Sequence, residues 1–333
     1  MERVLYVELP SGFGGESRRL PFYLAMEEYL AREKVETVGS SLFFMWQVNP
    51  TVIIGRNQVA ENEVNLAYCR EHGIEVYRRK SGGGCVFADQ KNIMMSYITA
   101  HGGCVTETFS EYTEAVAKML RDLGFDASAS TRNDILIGDL KVSGNAYYHL
   151  SRSSIVHGTM LFEADLEVMS KAITPSQQKL QAKGVESVRS RVTMLSAYLT
   201  MGIDEFKSYA RDKMSSGTLV LTPADVVAVE KLEQQYYSDD WIFKAKKPAT
   251  TRSCRIEGVG EIQASVATDD DGRISNVDFT GDFFVASEQD SLLVDRLRGA
   301  NYNPQDVVKA MEGFSVGNVI SGMSNEQLIE LLF

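Results

Sequence analysis

Arg78-Arg79-Lys80-Ser81-Gly82-Gly83-Gly84-Cys85-Val86-Phe87 is the stretch around which the rest of the chain is arranged. Three cationic side chains run into a hydroxyl, three glycines and an apolar run. Glycine permits close backbone approach and positive φ, so bare N–H groups can converge on an anion. The cations beside it supply the charge that a phosphate or carboxylate needs. The same residues also read as a plain hairpin turn between two strands. They match neither the G-x-x-x-x-G-K-[ST] phosphate loop nor the strand–G-x-G-x-x-G–helix fingerprint.

Working outward, strand Ile74–Arg79 precedes the glycines, and strands Cys85–Phe87 and Ile93–Thr99 follow them. Upstream, Val4–Glu8 reads as a strand and Pro21–Lys34 as an amphipathic helix carrying Phe22, Met26, Tyr29 and Leu30 on one face. Leu42–Gln47 and Thr51–Ile54 are apolar and β-branched, and the Asn49-Pro50 turn between them predicts a hairpin. Gly55-Arg56-Asn57-Gln58 follows at a strand end, where loops carry function. Val64–His72 is a short helix that Gly73 stops. Downstream, Phe109–Leu123 repeats Tyr112, Val116, Met119 and Leu123 at helical spacing and ends at Gly124. Ile135–Ile137, Lys141–Ser143 and Ile155–Phe162 are strand candidates, and Leu166–Ile173 is a helix that stops before Pro175. Ser176–Arg191 is polar, basic and long enough for a functional loop. Thr222-Pro223 caps a helix reaching about Tyr237.

Lys244–Thr251 is linker-like, with little to bury and a central proline. Beyond it Cys254–Ile256, Glu261–Ala267 and Ile274–Phe279 read as a three-stranded meander. Leu292–Leu297, Val307–Met311 and Ser324–Leu332 read as helices, the last opened by the capping pair Ser324 and Gln327. Two units are therefore expected, 1–247 and 248–333. Pattern alone describes a mixed α/β chain that is strand-rich in its middle.

At 333 residues with a net charge of −11, the chain suits a soluble globular protein and disfavours nucleic acid as partner. The acidity is uneven: residues 248–333 hold 6 Lys+Arg against 14 Asp+Glu, and residues 1–247 hold 28 against 31. Met1–Gly15 lacks a basic region followed by an apolar one, and no apolar run is long enough to span a bilayer, so no membrane role and a cytoplasmic location are expected. Cys69, Cys85, Cys104 and Cys254 form no C-x-x-C pair. His72, His101, His149 and His157 lack metal-binding spacing.

The glycine stretch gains meaning beside two later segments, Arg132-Asn133-Asp134-Ile135 with Asp139-Leu140-Lys141-Val142-Ser143-Gly144-Asn145-Ala146, and His157-Gly158-Thr159-Met160-Leu161. Together with Gly55–Gln58 and Lys183–Thr193, in this order, they resemble the lipoate–protein ligase A family over residues 20–195. The tail resembles the accessory domain of that family's two-domain members. The resemblance implies an α+β catalytic domain with a central mixed sheet, related to biotin ligases, plus a small α+β accessory domain acting as a lid. It implies an enzyme that makes lipoyl-adenylate from lipoate and ATP with Mg²⁺, then transfers the lipoyl group to a lysine of an apo lipoyl domain. The acceptors so implied are 2-oxo acid dehydrogenase complexes and the glycine cleavage H protein.

Such an activation brings two anions together, and a fixed cation near both lowers their repulsion. The resemblance gives that role to Lys141, on the lipoate carboxylate and the α-phosphate. It makes Arg79 an ATP contact and Gly84, Cys85, Val86 and Phe87 the cradle for nucleotide and acyl chain. Asn133 and Asp134 would reach the adenylate, with Asp134 a ligand of phosphate-borne Mg²⁺. Lys183 and Arg191 belong to the covering loop over ATP. Arg79, Ser81, Gly83, Lys141, His157 and Gly158 line the lipoate side. Cys85 departs from the family's usual alanine and reads as a packing thiol. Three rivals remain: a cysteine-dependent octanoyl or lipoyl transferase of the same fold, a biotin ligase, and a non-catalytic lipoate-binding protein. The first needs an activated thiol, and Ser176–Thr193 contains no cysteine.

Overall fold

The computed structural model describes residues 3–13, 18–100, 105–130, 133–173, 192–243, 250–286 and 291–333. In chain order its strands are β1 (Val4–Glu8), β2 (Ser41–Trp46), β3 (Thr51–Ile54), β4 (Glu75–Arg78), β5 (Val86–Ala88), β6 (Ile93–Thr99) and β7 (Ala127–Ala129). They continue with β8 (Asp134–Ile137), β9 (Leu140–Leu150), β10 (Ser153–Met160), β11 (Gly217–Val220), β12 (Thr250–Ile256), β13 (Gly260–Thr268) and β14 (Ile274–Gly281). Among the described residues, eight of them form a mixed sheet in the order β11-β1-β2-β6-β10-β9-β8-β7. β11, β1 and β2 run parallel, and every later pairing is antiparallel.

This sheet is covered on both faces. The helix Leu20–Tyr29 packs with Leu42, Phe44, Ile98, Ile155 and Val229 on one side. The helices Val105–Arg121 and Ile203–Met214 pack with Phe43, Met95, Val156 and Met160 on the other. Double coverage explains why its strands read as apolar runs without alternation. The first helix runs further than the expected Lys34: a π turn over Leu30–Lys34 leads into Val35–Val38, and Gly39 ends it at φ 62°. β9 is also far longer than Lys141–Ser143. Its Gly144-Asn145 pair has poor strand propensity, and hydrogen bonding to β8 and β10 on its two sides overrides it.

The expected hairpin of Leu42–Gln47 with Thr51–Ile54 does not form. β2 lies in the large sheet, whereas β3 is the centre of a second sheet ordered β4-β3-β5. All four β3 residues are buried, so no polar face marks which neighbour the strand takes. The glycine stretch is no hairpin either. β4 pairs with β3 in parallel and β5 pairs with its other edge antiparallel, so Lys80–Cys85 crosses over the end of β3. At that crossing a side chain on Gly55 would overlap the Gly83 carbonyl.

The tail forms the predicted meander β12-β13-β14 with helices Ser291–Leu297, Pro304–Ala310 and Asn325–Leu332 around a core of its own. Ser324 and Gln327 make the expected reciprocal cap. Thr250 and Thr251, read as linker, already belong to β12, and residues 244–249 lie outside the described ones.

Candidate active site

Two buried arginines build the glycine turn. Arg78 is fully buried, and its guanidinium donates to five carbonyls, those of Gly55, Arg56, Gln58, Trp241 and Ile242, at 2.7–3.1 Å. It thereby joins the Gly55–Gln58 turn to the last helix before residue 244. Arg79 donates through Nε to Ser81 Oγ at 2.8 Å and through its terminal nitrogens to the Ile53, Gly82 and Gly84 carbonyls. Burial pulls both guanidinium groups down to about 10, and they stay cationic at neutral pH. Beside them Asn57 Nδ2 and Gln58 Nε2 are buried donors without a partner among the described residues.

Ser81 is fixed from a second side, by His157 on β10, whose Nε2 lies 2.7 Å from Ser81 Oγ. His157 Nδ1 lies 2.8 Å from Glu27 Oε2 on the first helix. Register then decides what else shares this face of the sheet. His157 is opposite Ala146 on β9, and Asp134 on β8 is opposite Gly144. Opposed residues share a face, as do residues two apart along a strand. Asp134 and His157 therefore project to the same side. Lys141 Nζ sits 2.6 Å from Asp134 Oδ1, which brings the ammonium to that side too. Gly144 makes room for it, since a Cβ there would lie 2.6 Å from Lys141 Nζ. Asn133 and Asn145 clamp the start of β8 to the middle of β9: Asn145 N–H and Nδ2 donate to the Asn133 carbonyl, and Asn133 Nδ2 donates to the Asn145 carbonyl. Gly158 serves that clamp, because any side chain on it would overlap Asn145 Oδ1.

A cluster of this kind can bring an acyl carboxylate and a phosphate to one fixed cation. The family described as Lipoyl protein ligase A/B catalytic domain matches residues 20–215, and the one described as Bacterial lipoate protein ligase C-terminus matches residues 248–332. The chain belongs to the lipoate–protein ligase family. It is 31% identical over 319 residues to lipoate–protein ligase 1 of Staphylococcus aureus, covering 93% of this chain and 95% of that protein. It is 30% identical over 323 residues to the lipoate–protein ligase LplJ of Bacillus subtilis, covering 93% and 96%. Among solved structures it is similar to a lipoate–protein ligase A bound with ATP, at TM-score 0.60 and 25% identity, covering 72% of this chain and 98% of that one. It is likewise similar to a bi-partite lipoate protein ligase of Thermoplasma acidophilum, studied with its E2 lipoyl domain, at TM-score 0.62 and 26% identity, covering 75% and 100%. The fold is also that of P. falciparum LipL1 in complex with lipoate, at TM-score 0.72 and 17% identity, covering 98% and 97%.

Within this ligase framework the sequence-predicted residues separate into groups. Ser81, Gly83, His157 and Arg79 surround the glycine turn, and Lys141, Asn133, Asp134 and Gly158 lie on or beside β9. Lys183, Arg191 and Cys104 fall outside the described residues, although the far end of the expected covering loop is seen stitched to the site. Thr193 N–H donates to the Lys141 carbonyl at 2.8 Å. The Arg79 guanidinium lies inside the turn, bonded to Ser81 and to the Ile53, Gly82 and Gly84 carbonyls. Cys85 is half-buried at the edge of the core beneath β3, which suits a packing thiol.

Glu27 and Phe284 were missed. Glu27 is 3% exposed on an otherwise apolar helix face, and its partner His157 lies 130 residues away. Phe284 belongs to the tail. Its ring stacks on Tyr147 of β9 at 5.1 Å between centroids, and Gly83 lies against it. The preceding Phe283 carbonyl accepts from Gly83 N–H at 3.2 Å, and Gly281 N–H donates to the Asn57 carbonyl at 2.9 Å. The tail thus sits on the glycine turn.

Proposed function

We propose that this chain is an ATP-dependent lipoate–protein ligase that forms lipoyl-adenylate, releases pyrophosphate, and transfers the lipoyl group to a lysine of apo lipoyl domains. The acceptors proposed are those of 2-oxo acid dehydrogenase complexes and the glycine cleavage H protein, in the cytoplasm where ATP is available. The observation that carries this reading is Lys141, held on the same face as the Ser81–His157 pair by Asp134 and Gly144. In the first step a carboxylate oxygen attacks the α-phosphorus and the bond to pyrophosphate breaks. Both partners are anions, and a preorganised ammonium between them lowers the barrier. In the second step the acceptor amine attacks the acyl carbonyl, and the same ammonium steadies the departing AMP.

Ser81, Gly83, His157 and Gly158 then form the acyl side, together with the cavity lined by Leu24, Tyr148, Ile155 and Tyr236. Gly84, Cys85, Val86, Phe87, Asn133 and Asp134 form the nucleotide side, with Lys183 and Arg191 from the covering loop. Arg79 shapes the turn with four of its five N–H groups, and the fifth would be the one to meet ATP. Asp134 suits a Mg²⁺ ion carried by phosphate. Such an ion needs only one or two protein carboxylates, and among the described residues Asp134 Oδ1 has no bond besides that to Lys141. When bound, the ion would neutralise phosphate charge. Residues 1–247 are proposed as the catalytic domain and 248–333 as a lid, which the seat of Phe283 and Phe284 on the glycine turn supports.

The test is one incubation of the protein with lipoate, ATP·Mg²⁺ and an apo lipoyl domain, following AMP and the acceptor's mass. Equimolar AMP and lipoylated acceptor are expected. Lipoylation of the acceptor from a carrier thioester without ATP, and none with lipoate and ATP, would overturn the ligase reading.

A further inference from the structure

A glycine turn binds an anion through its bare N–H groups, and one of these is already taken by the protein itself. Gly83 N–H donates to the Phe283 carbonyl of the tail at 3.2 Å. The tail peptide lies so close that a Cβ on Gly82 would sit 2.3 Å from that oxygen and 2.9 Å from Phe284 Cα. The Phe284 ring covers Gly83, where a Cβ would meet its edge at 3.0 Å, and it stacks on Tyr147. A further main-chain bond runs from Gly281 N–H to the Asn57 carbonyl at 2.9 Å. On its own side this piece of the tail is well fixed. Asp282 N–H donates to the Glu261 carbonyl at 3.0 Å, Asp282 Oδ1 accepts from Glu261 N–H, and Ser321 N–H donates to the Phe284 carbonyl at 2.9 Å. Phe283 itself is buried in the tail's core. The seat is nonetheless imperfect. Asn57 Nδ2 and Gln58 Nε2 are buried donors with no partner among the described residues, and such donors destabilise the state that buries them. A carbonyl oxygen carries a partial charge and a phosphate oxygen a full one, which the buried Arg78 and Arg79 beneath the turn favour. The space filled by the Phe283 carbonyl is the space a phosphate oxygen needs to reach Gly83 N–H.

We propose, on the ligase reading above, that the docked tail is an autoinhibitory plug: the Phe283 carbonyl stands in for a phosphate oxygen on Gly83 N–H, so ATP and the docked tail exclude each other. The balance between docked and released tail then sets nucleotide affinity. The apparent Kd is that of the released chain divided by the released fraction, so a tail docked about nine times in ten weakens ATP binding about tenfold. Linkage is reciprocal, and bound nucleotide loosens the tail by the same factor. Affinity and the rate of adenylation are separate quantities here. Releasing the tail strengthens ATP binding whatever it does to the chemical step, and any lid action over the filled site is taken from a different seat.

The experiment titrates α,β-methylene-ATP, whose α–β bond cannot be cleaved, into the full chain and into Phe284→Ala and Gly82→Ala. Phe284→Ala removes the stack on Tyr147 and leaves the turn untouched, whereas Gly82→Ala sets a methyl against the Phe283 oxygen. Each variant should bind the nucleotide about tenfold more tightly than the wild-type chain. In parallel, hydrogen exchange of the wild-type chain is followed in peptides covering Thr280–Phe284. Exchange there should quicken when the nucleotide is added, because Gly281 N–H leaves the Asn57 carbonyl. This second measurement needs no variant to fold. Equal or weaker binding by Phe284→Ala would overturn the plug, and so would slower exchange with nucleotide, which would make the tail a clamp closed on its ligand. In a wild-type preparation that forms lipoyl-adenylate from lipoate and ATP, either result leaves the ligase standing. Tighter binding by the variants, in a preparation that forms no lipoyl-adenylate, would uphold the plug and overturn the ligase. Nucleotide binding by none of the three chains would overturn both.

Discussion

Lys141 Nζ is held 2.6 Å from Asp134 Oδ1, across a strand pair in which Gly144 stands directly opposite Asp134. The ion pair is only half-buried, so it adds little to stability. Its value is directional, since it points one ammonium at the face that carries Ser81 and His157. Replacing Lys141 by Ala should lower lipoyl-adenylate formation by about 10²–10³, as for one lost electrostatic donor. The melting temperature should stay close to wild type. Pyrophosphate release in the first turnover checks both halves, and near-normal release would refute the role.

Gly144→Ala tests the same ammonium without removing it. The new methyl would lie 2.6 Å from Lys141 Nζ, the far end of a flexible side chain, so the chain should fold with the ammonium displaced. Adenylation should fall by at least about tenfold, in keeping with the cost of a misplaced catalytic group. Unchanged kcat in Gly144→Ala would mean that Lys141 does not act from this position.

Cys85 should be dispensable if activation is by ATP. It is half-buried and packs under β3, and alanine is a small neutral replacement. Cys85→Ala should keep most ligation activity. Loss of transfer, with an acyl thioester trapped on Cys85 of the wild-type chain, would point to a thiol route.

Acid should loosen the first helix from its neighbours. Burial pushes the Glu28 carboxyl up, but Lys80 at 2.6 Å and Arg32 at 2.9 Å outweigh it and hold the group below its ordinary value. Burial likewise raises Asp225, and the Lys34 ammonium and Tyr29 hydroxyl outweigh it. A lowered folded-state value means stability that is complete above the unfolded carboxylate range and lost as pH falls through the folded value. Melting temperature should therefore drop below about pH 4. Asp225→Asn should be less stable at neutral pH and show a shallower acid decline.

A chain ending at Lys247 should fold, because the tail's core contains only residues beyond 255. It should be poor at making lipoyl-adenylate, which needs water excluded. It should still pass lipoate from supplied lipoyl-adenylate to an apo acceptor. Measuring the two half-reactions on this one protein decides the matter; equal loss of both would make the tail a structural support only.

Strands such as β1 and β6, the tail meander, and the caps at Thr222 and Ser324 were legible because each rests on local chemistry: a β-branched run, a turn glycine, a hydroxyl three residues before a polar partner. The sheet to which a buried strand belongs was not. β2 and β3 look alike in sequence, and the Asn49-Pro50 turn between them bends the chain without saying whether the strands then pair. The Ile203–Met214 helix was readable and overlooked; Phe206, Ala210 and Met214 recur every fourth residue and are its buried side. Glu27 was not readable. Next to Glu28 on an amphipathic helix it looks like a solvated acid, and only folding brings His157 and Ser96 to it.

Arg78 and Arg79 lie under the glycine turn with hydroxyl and carbonyl oxygens as hydrogen-bond partners, and among the described residues neither forms a carboxylate ion pair. Carbonyl dipoles solvate a cation without cancelling its charge. Two whole positive charges therefore remain inside the protein, in a medium that screens them far less than water does. Their field reaches beyond any contact they make, and it draws anions toward one particular stretch of a molecule whose net charge is −11. In kinetic terms, capture of an anionic ligand at the turn should be faster than the net charge suggests, and should slow as added salt shortens the range of that field.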